Sequence, residues 1–304
     1  GGDDFIAVVP TENVDNICQA VIANFDKNVT RFFTKDDLEK GYIEVANRKG
    51  IIEQVYSANS GHPGGSLSIA DILTVLYFNE LNIDEKNPKW EDRDRMILSK
   101  GHCSPALYSC LANRGFFDKE ELKKFRNINS RLQGHPDMNK VPGVDMTTGS
   151  LGQGLSVANG MAIAGKLNKK DYRVYCVLGD GEIEEGQIWE AAMTSNKYKL
   201  DNLCVIVDNN NLQIDGTIEE VMSSYPIEEK FRSFGFKIIN INGHDIEEII
   251  KAFDVAKNIK EKPTCIIAKT IKGKGISFME NQVGWHGKAP NEEQYIQAMK
   301  ELET

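Results

Sequence analysis

A strand-like apolar run, Arg173-Val-Tyr-Cys-Val-Leu178, leads straight into Gly179-Asp180-Gly181 and then into a stretch with helical spacing that begins near Glu182. Glycines at such a turn let the backbone approach a phosphate closely, and the helix N-terminus beyond it offers free N–H groups and a favourable dipole. Asp180 narrows the chemistry, because a carboxylate aimed at a phosphate repels it unless a cation sits between them. A hard divalent ion, magnesium or calcium, fits this place, since such ions take oxygen ligands. The next strand-like run, Leu203 to Val207, ends in the oxygen-rich stretch Asp208-Asn-Asn-Asn-Leu-Gln-Ile-Asp-Gly216. The pattern predicts two adjacent strand ends that converge on one metal-bridged phosphate group. Gly179-Asp-Gly-Glu-Ile-Glu-Glu-Gly186 lacks the third-glycine spacing of a dinucleotide fingerprint. No G-x-x-x-x-G-K-[ST] loop occurs either, including around Lys272-Gly-Lys-Gly275.

Four of the five histidines, His62, His102, His135 and His286, stand in glycine-flanked polar turns. Imidazoles in such places can hydrogen-bond to hydroxyl and carbonyl oxygens of a sugar and can move protons near neutral pH. The fifth, His244 in Asn242-Gly-His-Asp245, reads as structural.

The elements that must position these residues follow from periodicity. From about residue 170, β-rich runs at Arg173 to Leu178, Leu203 to Val207, Lys237 to Ile241 and Thr264 to Ala268 alternate with amphipathic stretches near 182–198, 226–233 and 245–258. That alternation predicts an α/β fold with a doubly wound, mostly parallel sheet flanked by helices and ligands at the carboxyl ends of the strands. The earlier half is more helical, with candidates at 36–58, 68–80, 104–114, 119–127 and 152–167, and a final helix is expected near 292–302. Residues 1–34 read differently, as a strand from Phe5 to Val9 and a helix opened by Pro10-Thr-Glu and running to about Phe25. They are taken as an extension without an assigned role, and 35–304 as the main domain.

Composition sets bounds on partners and compartment. With 304 residues and 40% hydrophobic content the chain can bury a large core, while a net charge of -9 without a Lys/Arg block disfavours nucleic acid and anionic membrane as partners. No apolar run approaches the ~20 residues of a membrane span. The N-terminus carries acids where a signal peptide carries bases, so a cytosolic protein is expected. The six cysteines show no metal-binding spacing and read as buried, reduced thiols.

Taken together, these motifs resemble the amino-terminal half of transketolase, over about residues 36–304. The resemblance rests on Ser60-Gly-His-Pro-Gly64, Leu98-Ser-Lys-Gly-His102, Gln133-Gly-His-Pro136, Thr147-Thr-Gly-Ser-Leu-Gly-Gln-Gly154, the Gly-Asp-Gly turn with its downstream Asn210, Gln213-Ile-Asp-Gly216 and Gly284-Trp-His-Gly-Lys288. It implies a thiamine-diphosphate-binding fold, specifically the diphosphate-binding domain. There Asp180, Asn210 and the backbone carbonyl of Leu212 ligate the metal, and Gly149, Leu151, Gly179, Gly181 and Glu185 line the cofactor. It further implies that Lys272 reaches the diphosphate, that His62 and His286 contact substrate oxygens, and that His102 and His135 lie by the cofactor phosphate and the substrate. Cleavage of a ketose between C2 and C3 needs an electron sink that no side chain provides, which the thiazolium ring supplies.

A complete transketolase is roughly twice this long, and no stretch here resembles its pyrimidine-binding domain. The resemblance therefore implies an amino-terminal subunit of a split transketolase, inactive alone and completed by a carboxy-terminal subunit in a heterotetramer, transferring a two-carbon ketol unit between sugar phosphates. A thiamine-dependent 2-oxoacid dehydrogenase subunit would share the Gly-Asp-Gly and Asn site, but the four histidines argue against it. The Leu98-Ser-Lys-Gly-His102 motif argues against a deoxyxylulose-phosphate synthase, and the intact Asp180 and Asn210 against a non-catalytic scaffold.

Overall fold

The structure, a computed structural model, describes residues 43–303. The expected 1–34 extension with its strand and helix, and the first residues of the helix expected from 36, lie outside the described residues. Five parallel strands form one sheet in the order β1-β2-β3-β5-β4: β1 Arg95–Leu98, β2 Val174–Gly179, β3 Leu203–Asn209, β4 Lys237–Asn242 and β5 Thr264–Lys269. The helices are α1 Ile43–Ser57, α2 Pro63–Ser68, α3 Ala70–Val75, α4 Ser104–Arg114, α5 Gly154–Leu167, α6 Gly186–Lys197, α7 Ile218–Val221, α8 Ile227–Ser233, α9 Ile246–Asn258 and α10 Glu292–Glu301. None of the described helices is long and apolar enough to cross a membrane.

The period-two geometry of the three central strands feeds two cores at once. Tyr175, Val177, Cys204, Ile206, Ile266 and Ala268 face one core, built with α1 to α4, α9 and α10. Val174, Cys176, Leu178, Leu203, Val205 and Cys265 face the other, built with α5, α6 and α8. The five described cysteines are free and buried. Burial on both faces explains why these strands read as continuous apolar runs, whereas the edge strand β4 stays partly exposed along its length.

One strand goes unread in the sequence, and two expected helices are corrected. Arg95–Leu98 is a strand, although only four residues long; Asp145 covers its free edge by accepting the Met96 N–H at 2.9 Å and pairing with Arg93. The single helix expected over 68–80 is instead α2, a break at Ile69, α3 and a π-helical turn over Leu76–Glu80. Its break coincides with Ser68, whose hydroxyl turns onto Asp208. The helix expected over 119–127 is a 3-10 turn, Lys119–Lys124.

A buried ion pair joins these elements. Lys100, just past β1, donates to Asp208 near the end of β3 at 2.5 Å, with the two side chains only 4% and 0% exposed. Asp208 also accepts from Ser68 (2.7 Å), Thr270 (2.5 Å) and the Asn210 amide (3.0 Å), so its oxygens receive four donors from four segments. The Lys100 charge and these bonds hold the Asp208 carboxyl below the usual range despite burial. Removing one partner strands a charge in the core, so Lys100→Met should cost about 3–5 kcal/mol. Lys100→Met/Asp208→Leu should cost less than the sum of its single changes; urea unfolding checks both, and strict additivity would contradict the pairing.

Candidate active site

The carboxyl ends of β1, β2, β3 and β5 open onto a cavity of about 330 Å³. It is lined by His62, His102, His135, His286, Gly149, Leu151, Gly179, Asp180, Gly181, Asn210, Leu212 and Lys272, joined by Gly65, Lys100, Glu182, Gln213 and Ile214. Of the residues named from sequence, only Glu185 stands apart: it is exposed, at the N-terminus of α6. The helix expected from 182 begins as a 3-10 turn, Glu182–Glu184, and only at Gly186 becomes α6. Glu182 explains the tight turn: its buried carboxylate accepts the N–H groups of Gly179 and Gly152, each at 3.0 Å, and the Ser99 hydroxyl.

Asp180 leaves β2 into this turn and is 2% exposed. Its carboxylate accepts the N–H of Gly181 (3.0 Å) and of Asn211 (2.5 Å), the latter from the loop after β3. Burial first, and the nearby Asp208 second, raise its carboxyl to about 7. The Asn210 amide is oriented by its neighbours: nitrogen donates to Asp208, so oxygen is the atom that accepts the Leu212 N–H at 3.1 Å. A carboxylate, an amide oxygen and the Leu212 carbonyl thus lie in one loop pair, a donor set that suits a hard cation. No cluster of three His, Cys, Asp or Glu side chains suited to a metal exists among the described residues.

Lys272 arrives from the segment after β5. Its ammonium donates to the carbonyls of Leu212 (3.0 Å) and Gln213 (3.4 Å) and meets His286 Nδ1 at 2.9 Å. Burial, then Lys100, lowers its titration to about 8. A lysine that donates to His286 Nδ1 leaves the ring proton on Nε2, available to a ligand. The rings of His62, His102 and His286 lie 5.1–5.4 Å apart, centre to centre. Burial is the main cause that lowers all three, His62 to about 4 and His286 to about 3, so the cluster is neutral at pH 7. His62 Nδ1 is buried without a partner, an unsatisfied polar atom of the kind a ligand completes. His135, the most open of the four, packs its ring against Gly149, whose φ of 152° and close approach would strain any side chain there.

His244 lies away from the cavity and ties elements together. Its Nε2 accepts the Ile271 N–H at 2.8 Å, its Nδ1 meets Asp71 at 2.7 Å, and Arg48 pairs with the same carboxylate. Sequence reasoning does not single out Lys100, Glu182 or Asp208. Their one signal is position, each beside a motif that carries chemistry.

A doubly wound domain with an oxygen donor set and neutral histidines at its strand ends defines the class, and comparison with known proteins supplies the family. The chain matches the family described as transketolase, thiamine diphosphate binding domain, over residues 42–303. It is 46% identical over 256 residues to a protein of Phocaeicola vulgatus named as one subunit of an apulose-4-phosphate transketolase, covering 84% of this chain and 91% of that protein. It is 45% identical to 6-deoxy-6-sulfo-D-fructose transketolase subunit SqwG of a Clostridium species, covering 93% of it. Human transketolase is 45% identical over 250 residues, but the chain spans only 39% of its length. The crystal structure of Campylobacter jejuni transketolase superposes with a TM-score of 0.80 at 39% identity, over 86% of this chain and 43% of that one. The chain belongs to the transketolase family, and its described fold is the thiamine-diphosphate-binding domain of that family.

The raised Asp180 has a consequence for stability. Its ordinary value is 3.8, so between about pH 4 and pH 7 the folded chain holds a proton that the unfolded chain has lost. Asp180 therefore makes the ligand-free chain less stable as pH rises through this window, and the loss is complete above about 7. Asp180→Asn, neutral throughout, should melt at a higher temperature than the wild type at pH 8, with the gain vanishing towards pH 4. A gain independent of pH would contradict this effect.

Proposed function

We propose that this chain is the diphosphate-binding subunit of a two-chain transketolase. It moves a two-carbon ketol unit from a ketose phosphate to an aldose phosphate, with thiamine diphosphate anchored through magnesium on Asp180, Asn210 and the Leu212 carbonyl. The observation that carries this reading is the meeting, in one cavity, of that oxygen set with four histidines and Lys272. When bound, the cofactor supplies the electron sink for breaking a carbon–carbon bond beside a carbonyl. The chain's own residues would do the rest. Lys272 offers an ammonium to phosphate oxygens. His286 donates from Nε2, and His62 lines the same cavity beside it; neutral imidazoles so placed can accept or return a proton at a hydroxyl.

A carboxy-terminal subunit with the pyrimidine-binding domain is supported by two facts. Relatives named as separate transketolase subunits match over more than nine-tenths of their own length. On the cavity itself, Leu151 and Ile214 leave 38% and 63% of their surface exposed, apolar area that a second polypeptide would cover. A pyrimidine-binding wall from that chain, repeated by two-fold symmetry, gives a heterotetramer.

Mixing experiments decide the matter. Ketol transfer should be absent with the purified chain and present once the companion chain from the same source is added; turnover by the single chain would refute the split. Within the complex, Asp180→Ala should abolish magnesium-dependent cofactor binding by calorimetry while leaving the circular dichroism spectrum intact. His286→Ala should keep cofactor binding but lower kcat by about 10²–10⁴-fold. Unfolding of the His286→Ala variant would make His286 structural instead.

A further inference from the structure

Outside the cavity lining, a cation abuts the histidine wall with no acidic partner among the described residues. Arg126 follows Phe125 at the exit of the 3-10 turn Lys119–Lys124, with its backbone in the left-handed region at φ 58°, uncommon for a residue with a side chain. Its N–H donates to the Leu132 carbonyl at 2.8 Å, which closes the loop between them. The guanidinium lies 5.4 Å from the Phe125 ring centre, and Nη1 donates to the Ser60 hydroxyl at 2.6 Å. Nε is buried without a hydrogen-bond partner. On the other side, a Cβ at Gly134 would come within 2.7 Å of Nη2, so the guanidinium settles there only because residue 134 is glycine. Ser60 stands two residues before His62, and Gly134 immediately precedes His135.

We propose that Arg126 is a positioning residue: held between the Ser60 turn and the Gly134 turn, its guanidinium sets His62 and His135 as a pair facing the sugar substrate. The substrate in that statement rests on the transketolase reading, but the pairing is a property of the chain alone. Partly burying a guanidinium without a counter-ion is unfavourable, so its placement beside the turns that carry two imidazoles calls for a role. A fixed positive charge there also opposes their protonation. After burial, Arg126 is the largest influence lowering His62, ahead of His135, Lys272 and Lys100. The neutral rings of His102 and His286 complete the surroundings of His62. For His135, burial and then Arg126 lower the ring; around it lie Gly149 and the Tyr108 hydroxyl, which donates to the His135 carbonyl.

The test is an NMR titration of the imidazole nitrogens in the full chain, with each histidine assigned by a single His→Gln change. Arg126→Met should raise the midpoints of His62 and His135 by about one pH unit and leave His102 and His286 in place. Arg126→Lys, which keeps the charge, should leave all four unchanged. In the complex with the companion chain, the acid limb of kcat/KM should move up by the same amount in Arg126→Met. If Arg126→Met does not fold, Arg126→Gly, whose backbone accepts φ 58° freely, carries the same titration. Unchanged midpoints in a folded variant, or failure of both variants to fold, would overturn the proposal. Because the titration needs no turnover, it separates this outcome from a failure of the transketolase reading.

Discussion

The site depends on one fully buried carboxylate. Asp208 cannot ionise in the core unless its charge is answered, and the answers come from four places: Lys100 beyond β1, Ser68 on α2, Thr270 beyond β5 and Asn210 beyond β3. Each bond fixes the segment that supplies it. The Asn210 amide is oriented because its nitrogen is committed to Asp208, which leaves its oxygen as the acceptor beside Leu212. The His102 turn and the Lys272 segment are likewise anchored two residues from Lys100 and Thr270. A charge that is expensive to bury becomes the joint about which the strand ends are arranged.

Electrostatics around that joint follow from its neighbours. Lys100, Lys272 and Arg126 crowd the histidine wall, and together with burial they keep the imidazoles neutral at physiological pH. Neutral imidazoles can both donate and accept, which suits the proposed recognition of hydroxyl and carbonyl oxygens. Lys272, which has no carboxylate partner among the described residues, holds positive charge beside the Leu212 loop, in a chain whose net charge is -9. Attraction for the ligand is thus local and fixed by burial, and the surface as a whole contributes none of it.

The fold is readable wherever burial leaves a long pattern. β2, β3 and β5 announce themselves because both faces are apolar, and β4 by its β-rich composition. β1 escapes because four residues flanked by charges carry no period, and its strand state comes from pairing with β2. The cavity is readable because its histidines and its Gly-Asp-Gly turn sit in loops with distinctive local sequence. Lys100 and Asp208 are not, since an ion pair between residues 108 positions apart leaves no local trace. The family resemblance points to Glu185, and nothing in the sequence points to Glu182. The 3-10 turn draws Glu182 inward onto Gly179 and Gly152, and places Glu185 outside the cavity.

In the proposed enzyme, Asp180, Asn210 and the Leu212 carbonyl form the oxygen set through which a cation holds the cofactor's diphosphate. The most direct measurement is a crystal structure of the chain with its companion, grown with thiamine diphosphate and manganese, whose anomalous signal locates the ion. One anomalous peak is expected, bonded to the Asp180 carboxylate, the Asn210 amide oxygen and the Leu212 carbonyl, at about 2.0–2.3 Å. A peak elsewhere, or a diphosphate bound with Asp180 turned away from it, would contradict the claim.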